Sequence, residues 1–120
     1  MQQASTILII EDDAAAADDL AALCQQLGHT PLVAHDGATG LKLAVNELPR
    51  LILSDIRVPG LDGFEVPRRL RGDRRLDKTA IVAVTTHPPT APAANQRTFD
   101  DYLLKPFTPC DLKHVISKYC

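Results

Sequence analysis

Four short apolar runs in this sequence each stop at a different reactive group. Runs that are apolar on both faces are typical of parallel β-strands covered by helices on both sides. Open α/β sheets bind their ligands beyond the carboxyl ends of such strands. We therefore expect the terminating groups to converge on one site: Thr6–Ile10 ends at Glu11-Asp12-Asp13, Leu51–Ser54 at Asp55, Ala80–Val84 at Thr85-Thr86, and Tyr102–Leu104 at Lys105.

Between the runs, the apolar spacing changes to that of amphipathic helices. Three segments place apolar residues at positions i, i+3, i+4 and i+7. They are Leu20, Leu23, Cys24 and Leu27; Leu41, Ala44, Val45 and Leu48; and Leu112, Val115, Ile116 and Tyr119. Gly28 is a typical helix end, and Thr108 with Pro109 is a typical helix start. Another, less regular helix is predicted after Gly63.

The alternation of strands and helices predicts the fold. Thr30–His35 supplies a fifth strand. We therefore expect right-handed crossovers and a three-layer, doubly wound α/β fold with five parallel strands in the flavodoxin-like order 2-1-3-4-5. A fourth helix, before the last strand, should be short or irregular because the stretch His87–Ala94 contains three prolines.

Length and charge limit the classes of partner. A chain of 120 residues, 45% of them apolar, suits one domain, which we expect to span residues 1–120. The formal charge of −2 gives no overall attraction to nucleic acid or to an anionic membrane. The basic stretch Arg68–Lys78 is interrupted by Asp73 and Asp77, and we interpret it as a solvated helix end rather than a nucleic-acid surface.

Cysteine usage and the amino terminus favour the cytoplasm. Cys24, Cys110 and Cys120 are odd in number, far apart and without the spacing of a zinc site. Residues Met1–Thr6 have no basic segment, and the apolar run after them is too short for a signal sequence or a membrane span. We expect a reduced, cytoplasmic protein that does not bind a membrane.

Four blocks of the sequence, in order, resemble a response-regulator receiver domain. They are ILIIEDD, LILSDIRVPGLDGFE, IVAVTT and DDYLLKPF, and together they cover nearly the whole chain. The resemblance implies a two-component signalling switch, with Asp55 as the acceptor of a phosphoryl group from a histidine kinase or histidine phosphotransfer protein. Such a domain catalyses its own phosphorylation and dephosphorylation and is not an enzyme for an external substrate.

The acidic residues of these blocks predict a cation-binding site. Carboxylates crowded together repel one another and an incoming phosphoryl group. Mg2+ suits a site made entirely of oxygen ligands. The resemblance implies that Asp12 and Asp55 bind the ion directly, that Glu11 acts mainly through water, and that Arg57 contributes its backbone carbonyl.

The remaining blocks imply further roles by resemblance. Lys105 and the Thr85 hydroxyl would each stabilise a phosphoryl oxygen, and a cis bond to Pro106 would direct the lysine inward. Tyr102 matches an aromatic switch residue whose rotation is coupled to movement of Thr85. The downstream protein target is unknown, and direct binding to nucleic acid is not expected.

Two other functions stay open at this point. A pseudo-receiver would use the same fold to bind a partner without any chemistry, and the intact set Glu11, Asp12, Asp55, Thr85 and Lys105 weighs against it. A small hydrolase that forms an aspartyl phosphate would need a second catalytic acid beside Asp55, for which the sequence offers no candidate.

Overall fold

The apolar runs form one parallel sheet in a computed structural model, which describes residues 5–55, 65–85 and 99–120. The strand order β2-β1-β3-β4-β5 confirms the predicted doubly wound fold. Each strand pairs with its neighbours in parallel register. The strands are β1 Thr6–Ile10, β2 Thr30–Ala34, β3 Leu51–Asp55, β4 Ala80–Thr85 and β5 Asp101–Leu104.

The described helices follow the predicted spacing. They are α1 Ala14–Gln26, α2 Gly37–Glu47, α3 Glu65–Arg71 and α4 Pro109–Tyr119, with a short 3-10 helix at Arg74–Leu76. The helix predicted between β4 and β5 falls on residues 86–98, which lie outside the described residues.

Both faces of the three central strands, β1, β3 and β4, are buried, as continuous apolar runs require. In β1, Ile7 and Ile9 face the layer formed by α1 and α4, whereas Leu8 and Ile10 face the layer of α2 and α3. All four side chains are fully buried. A strand with this environment has no solvent-facing side, which explains the absence of alternating polar residues.

Side-chain caps fix where three helices begin. Asp13 caps α1 by accepting from the Ala15 N–H at 3.0 Å. Asp13 therefore immediately precedes the helix. Asp36 caps α2 in the same way, and Thr108 forms a reciprocal capping box with Asp111 at the start of α4. Each cap satisfies backbone N–H groups that the helix leaves unpaired.

The prediction for Leu48 was wrong. Its spacing placed it on the buried face of α2, but the helix ends at Glu47. Leu48 has a left-handed backbone conformation with φ 48° and is 51% exposed. Pro49 explains the end of the helix, because the residue before a proline is disfavoured in the right-handed helical region.

Close packing of α2 on β1 depends on Gly40. A Cβ atom at this position would lie 2.5 Å from Ile10 Cδ1 and 2.8 Å from Ile10 Cγ1. The glycine thus allows the helix backbone to approach the strand immediately before Glu11 and Asp12.

Part of the basic stretch is used inside the fold. Arg71 donates to the Thr79 carbonyl at 3.0 Å and pairs with Asp100, joining the end of α3 to the starts of β4 and β5. Arg75 pairs with Asp73 at 2.7 Å. Two basic side chains of this stretch are thus neutralised by aspartates of the same chain.

The strand β2 forms one edge of the sheet and contains Pro31. The Thr30 N–H donates to the Ser5 carbonyl at 2.9 Å, so the alternating backbone directs the nitrogen of Pro31 away from β1. Proline is tolerated there because no ladder hydrogen bond is lost. No helix among the described residues is long and apolar enough to span a bilayer.

Candidate functional site

Three carboxylates meet at the carboxyl edge of the sheet. Glu11 and Asp12 follow β1, and Asp55 is the last residue of the adjacent strand β3. One oxygen from each side chain lies within 4.8 Å of the others. Glu11 is buried, Asp55 is partly buried and Asp12 is exposed, so the carboxylate cluster opens to solvent at Asp12.

The Lys105 ammonium lies against two of these carboxylates. Its Nζ is 3.1 Å from Glu11 Oε2 and 3.5 Å from Asp55 Oδ2. The Lys105 backbone N–H donates to the Thr85 carbonyl at 2.7 Å, which attaches the residue to the end of β4. The bond between Lys105 and Pro106 is cis.

Burial and neighbouring charges perturb both Glu11 and Lys105. Burial raises the pKa of the Glu11 carboxyl, the charge of Asp55 adds to this, and hydrogen bonds from the Asp13 N–H and Lys105 oppose it. Burial alone would lower the pKa of Lys105, but the hydrogen bond to Glu11 and the charges of Asp55 and Glu11 outweigh it and raise that pKa. Three carboxylates facing one ammonium leave excess negative charge, which favours cation binding.

Thr85 and Tyr102 lie on the two strands beyond β3. Thr85 ends β4, so its side chain begins at the same edge of the sheet as Asp55. Tyr102 lies opposite Ala83 in the register of β4 with β5 and is partly buried. Its ring packs against Phe99, with centroids 5.8 Å apart and an interplanar angle of 56°.

The structure therefore gathers most of the predicted site residues at one edge. These are Glu11, Asp12, Asp55, Thr85 and Lys105. Arg57 lies outside the described residues, and its role stays a prediction.

His35 contacts the backbone of Glu11, and the sequence did not indicate this contact. Its Nδ1 lies 3.0 Å from the Glu11 carbonyl oxygen, so the ring must carry hydrogen on Nδ1 to donate this bond. The contact depends on the register of β1 with β2, and no spacing in the sequence announces it.

An apolar groove adjoins Lys105, between α1 and the residues after β5. Its volume is about 770 Å³, and its apolar walls come from Ala16, Leu20, Ala22, Leu23, Pro106 and Phe107. The groove places an apolar surface beside the carboxylate cluster.

The geometry is that of a known family. The model of the response regulator receiver domain matches residues 7–117. The chain belongs to this family. Receiver domains are signalling switches of two-component systems.

Curated relatives of this receiver domain differ in their length. An uncharacterized 14.6 kDa protein of Leptolyngbya boryana is 33% identical over 116 residues, which are 95% of this chain and 88% of that protein. Protein PilH of Pseudomonas aeruginosa is 34% identical over 102 residues, covering 83% of this chain and 84% of PilH. The DNA-binding transcriptional regulator RpaA of Synechocystis is 37% identical over 114 residues, covering 93% of this chain but only 46% of RpaA.

Solved structures agree with the fold of this receiver domain. Chemotaxis response regulator CheY4 of Vibrio cholerae has a TM-score of 0.86 at 24% identity, over 99% of this chain and 100% of CheY4. The receiver domain of a sensor histidine kinase from Pseudomonas aeruginosa has a TM-score of 0.87 at 26% identity, over 97% of each chain. That crystal structure holds a magnesium ion coordinated in the active site cleft.

Proposed function

We propose that Asp55 accepts a phosphoryl group from the phosphohistidine of a histidine kinase or of a histidine phosphotransfer protein. The observation that carries the proposal is the convergence of the carboxylate cluster and Lys105 at the carboxyl edge of the sheet. We further propose that residues 1–120 form one receiver domain, and that it acts in the cytoplasm. The free state of all three cysteines supports a reducing compartment.

In the proposed reaction, a carboxylate oxygen of Asp55 attacks the phosphorus atom. A P–O bond forms while the P–N bond to the donor imidazole breaks, and the electron pair leaves on the imidazole nitrogen. Lys105 stabilises one phosphoryl oxygen and the Thr85 hydroxyl another, because phosphoryl transfer depends chiefly on positioning and on charge stabilisation. No general base is needed, since the attacking carboxylate is already ionised.

The carboxylate cluster fits Mg2+. Asp12 and Asp55 would bind the ion directly, Glu11 through water, and Arg57 through its backbone carbonyl. When bound, the ion offsets the carboxylate charge and polarises a phosphoryl oxygen. The related receiver domain that holds magnesium supports this assignment.

Phosphorylation is proposed to switch partner binding through Thr85 and Tyr102. Moving a two-state equilibrium from 1:99 to 99:1 takes about 5.5 kcal/mol of differential interaction. In a Tyr119→Phe background Tyr102 is the remaining tyrosine, so tyrosine fluorescence reports it alone. Beryllium fluoride with Mg2+, used as a phosphoryl mimic, should change this signal, and the additional substitution Thr85→Ala should reduce the change. An unchanged signal would refute the role of Tyr102.

The donor protein is proposed to dock on the apolar groove beside Lys105. Ala22 lies in this groove and is exposed. Ala22→Arg should slow transfer from the donor protein but leave labelling by acetyl phosphate unchanged. Ala38→Arg, on the exposed surface of α2, is the matched control. Equal slowing by both substitutions would remove the groove from the proposal.

Intact mass after incubation with acetyl phosphate tests the phosphoryl acceptor. We expect a gain of one phosphoryl group that requires Mg2+ and is absent in Asp55→Asn. Asp13→Asn is the matched control, because Asp13 caps α1 outside the carboxylate cluster and asparagine also caps helices. No gain, either from acetyl phosphate or from a phosphohistidine donor, would favour the alternative of a pseudo-receiver that acts only as an interaction module.

A further inference from the structure

A second pocket lies at the amino edge of the sheet, opposite the carboxylate cluster. Its volume is about 570 Å³. Residues at or just before the starts of β1, β2, β3 and β4 border it, together with the 3-10 helix and Cys120. Because all strands run in the same direction, the length of the sheet separates this amino-edge pocket from Asp55.

Positive charge dominates the lining of the amino-edge pocket. Arg50, Arg75 and Lys78 line it, and none of its described lining residues has a carboxylate side chain. Arg75 is already paired with Asp73. Within the described part of the chain, Arg50 and Lys78 form no ion pair. Among the described residues, these two cations therefore border the pocket without an ion-pair partner, in a chain whose formal charge is −2.

Further hydrogen-bond donors are fixed by the surrounding backbone. Within the described ranges, Arg50 donates from Nε to the Tyr119 carbonyl at 3.4 Å and makes no other side-chain hydrogen bond, so both Nη groups have hydrogen atoms to offer a ligand. His29 Nδ1 accepts from the Ser5 N–H at 3.1 Å, so the neutral imidazole carries its hydrogen on Nε2. The pocket thus combines charged and neutral donors.

The same pocket has an apolar wall formed by Leu48 and Pro49. Leu48 is exposed and has a left-handed backbone. An apolar surface beside unpaired cations suits a ligand with both an anionic group and a ring.

We propose that the amino-edge pocket binds a small organic phosphate of nucleotide size. Guanidinium and ammonium groups form charge-assisted hydrogen bonds with phosphate oxygens, and the fork of arginine matches two oxygens at once. The volume lies within the range of small-ligand sites. The ring of the ligand would pack on the exposed side chain of Leu48. This binding requires neither Mg2+ nor Asp55, so it is independent of the proposed phosphoryl transfer.

Titration of the full chain with ADP in the presence of EDTA tests the proposal. Amide chemical shifts of Leu48, Arg50 and Thr79 report on the pocket. We expect a saturable change with ADP and none with adenosine, because adenosine lacks the anion. Lys78→Gln should weaken ADP binding about tenfold or more. Lys42→Gln, which removes the same charge from an exposed position of α2 outside the pocket, should leave it unchanged.

Three results would overturn the proposal. The first is the absence of shifts at these amides up to about 10 mM ADP, where even a millimolar site would be mostly occupied. The second is equal binding of adenosine and ADP. The third is equal weakening by both lysine substitutions, which would indicate general charge attraction. The amide spectrum of each variant without ligand shows that it is folded.

Discussion

A methyl group added at Gly40 would collide with the side chain of Ile10. The new Cβ atom would lie 2.5 Å from Ile10 Cδ1, so this atom would have to move by about 0.9 Å to restore an ordinary contact at 3.4 Å. Ile10 is fully buried, and its neighbours would have to move as well. Overpacking of this kind costs about 1–3 kcal/mol, while alanine gains about 1 kcal/mol in helix propensity over glycine. We expect Gly40→Ala to lower the free energy of unfolding by about 0–2 kcal/mol, and therefore to forfeit most or all of the helix-propensity gain.

Urea unfolding followed by far-UV circular dichroism measures this loss, because the chain contains no tryptophan. The substitution Ile10→Val removes the nearest atom, Cδ1. The loss of unfolding free energy in the double variant Gly40→Ala/Ile10→Val should therefore be smaller than the sum of the two single losses, by at least about 0.5 kcal/mol.

Two other glycines serve as controls for the collision. Gly28 has φ +89° with no atom within 4 Å of a new Cβ, so Gly28→Ala should lose stability through the backbone alone and show no coupling to Ile10→Val. A Cβ at Gly72 would lie 3.5 Å from the Arg69 carbonyl oxygen, an ordinary contact, so Gly72→Ala should be nearly neutral. A Gly40→Ala variant more stable than the parent by about 1 kcal/mol, the full helix-propensity gain, would refute the packing argument. A double variant without coupling would refute it as well.

Three further predictions concern titratable and capping groups. Burial raises the pKa of Glu11, so its contribution to stability is complete below its ordinary value of 4.5 and is lost as the pH rises through the raised value. In EDTA, the urea midpoint of Glu11→Gln should therefore rise relative to that of the parent protein as the pH increases. A difference between the two midpoints that does not change with pH would contradict this. Asp36 accepts from the Thr39 N–H at 2.7 Å, so Asp36→Ala should lower the urea midpoint of unfolding, while Asp36→Asn, which can still cap the helix, should lower it much less. Burial raises the pKa of the Cys24 thiol to about 12, so mass spectrometry after thiol labelling at pH 8 should find the exposed Cys110 modified and Cys24 unmodified until urea is added; early labelling of Cys24 would show that it is accessible.

The sequence predicted the strands and their order because a doubly buried parallel sheet leaves a simple pattern. Each apolar run became a strand, and the structure adds Asp55 and Thr85 as the last residues of β3 and β4. Once the strands are parallel, their ends must lie at one edge. The gathering of the reactive groups therefore follows from the order of the chain alone.

Other features depend on how separate elements meet, and the sequence could not predict them. Gly40 has no signature that distinguishes it from a helix-weakening glycine, because its role is defined by Ile10 on another element. The bond between His35 and the Glu11 carbonyl likewise requires the register of two strands. Leu48 fitted the helical spacing, but α2 ends before it, next to Pro49, and its side chain is exposed.

Pro31 has a consequence for how copies of this chain can associate. A strand from another molecule could pair with the outer edge of β2 only by accepting hydrogen bonds from its outward N–H groups. At Pro31 this position holds a pyrrolidine ring and no N–H donor. The hydrogen-bonding ladder would be interrupted near its start, in a strand of only five residues. Proline at an open edge is a recognised protection against such pairing. Continuous intermolecular sheets, including fibrillar ones, are therefore disfavoured at this edge, and self-association there would have to use side-chain surfaces.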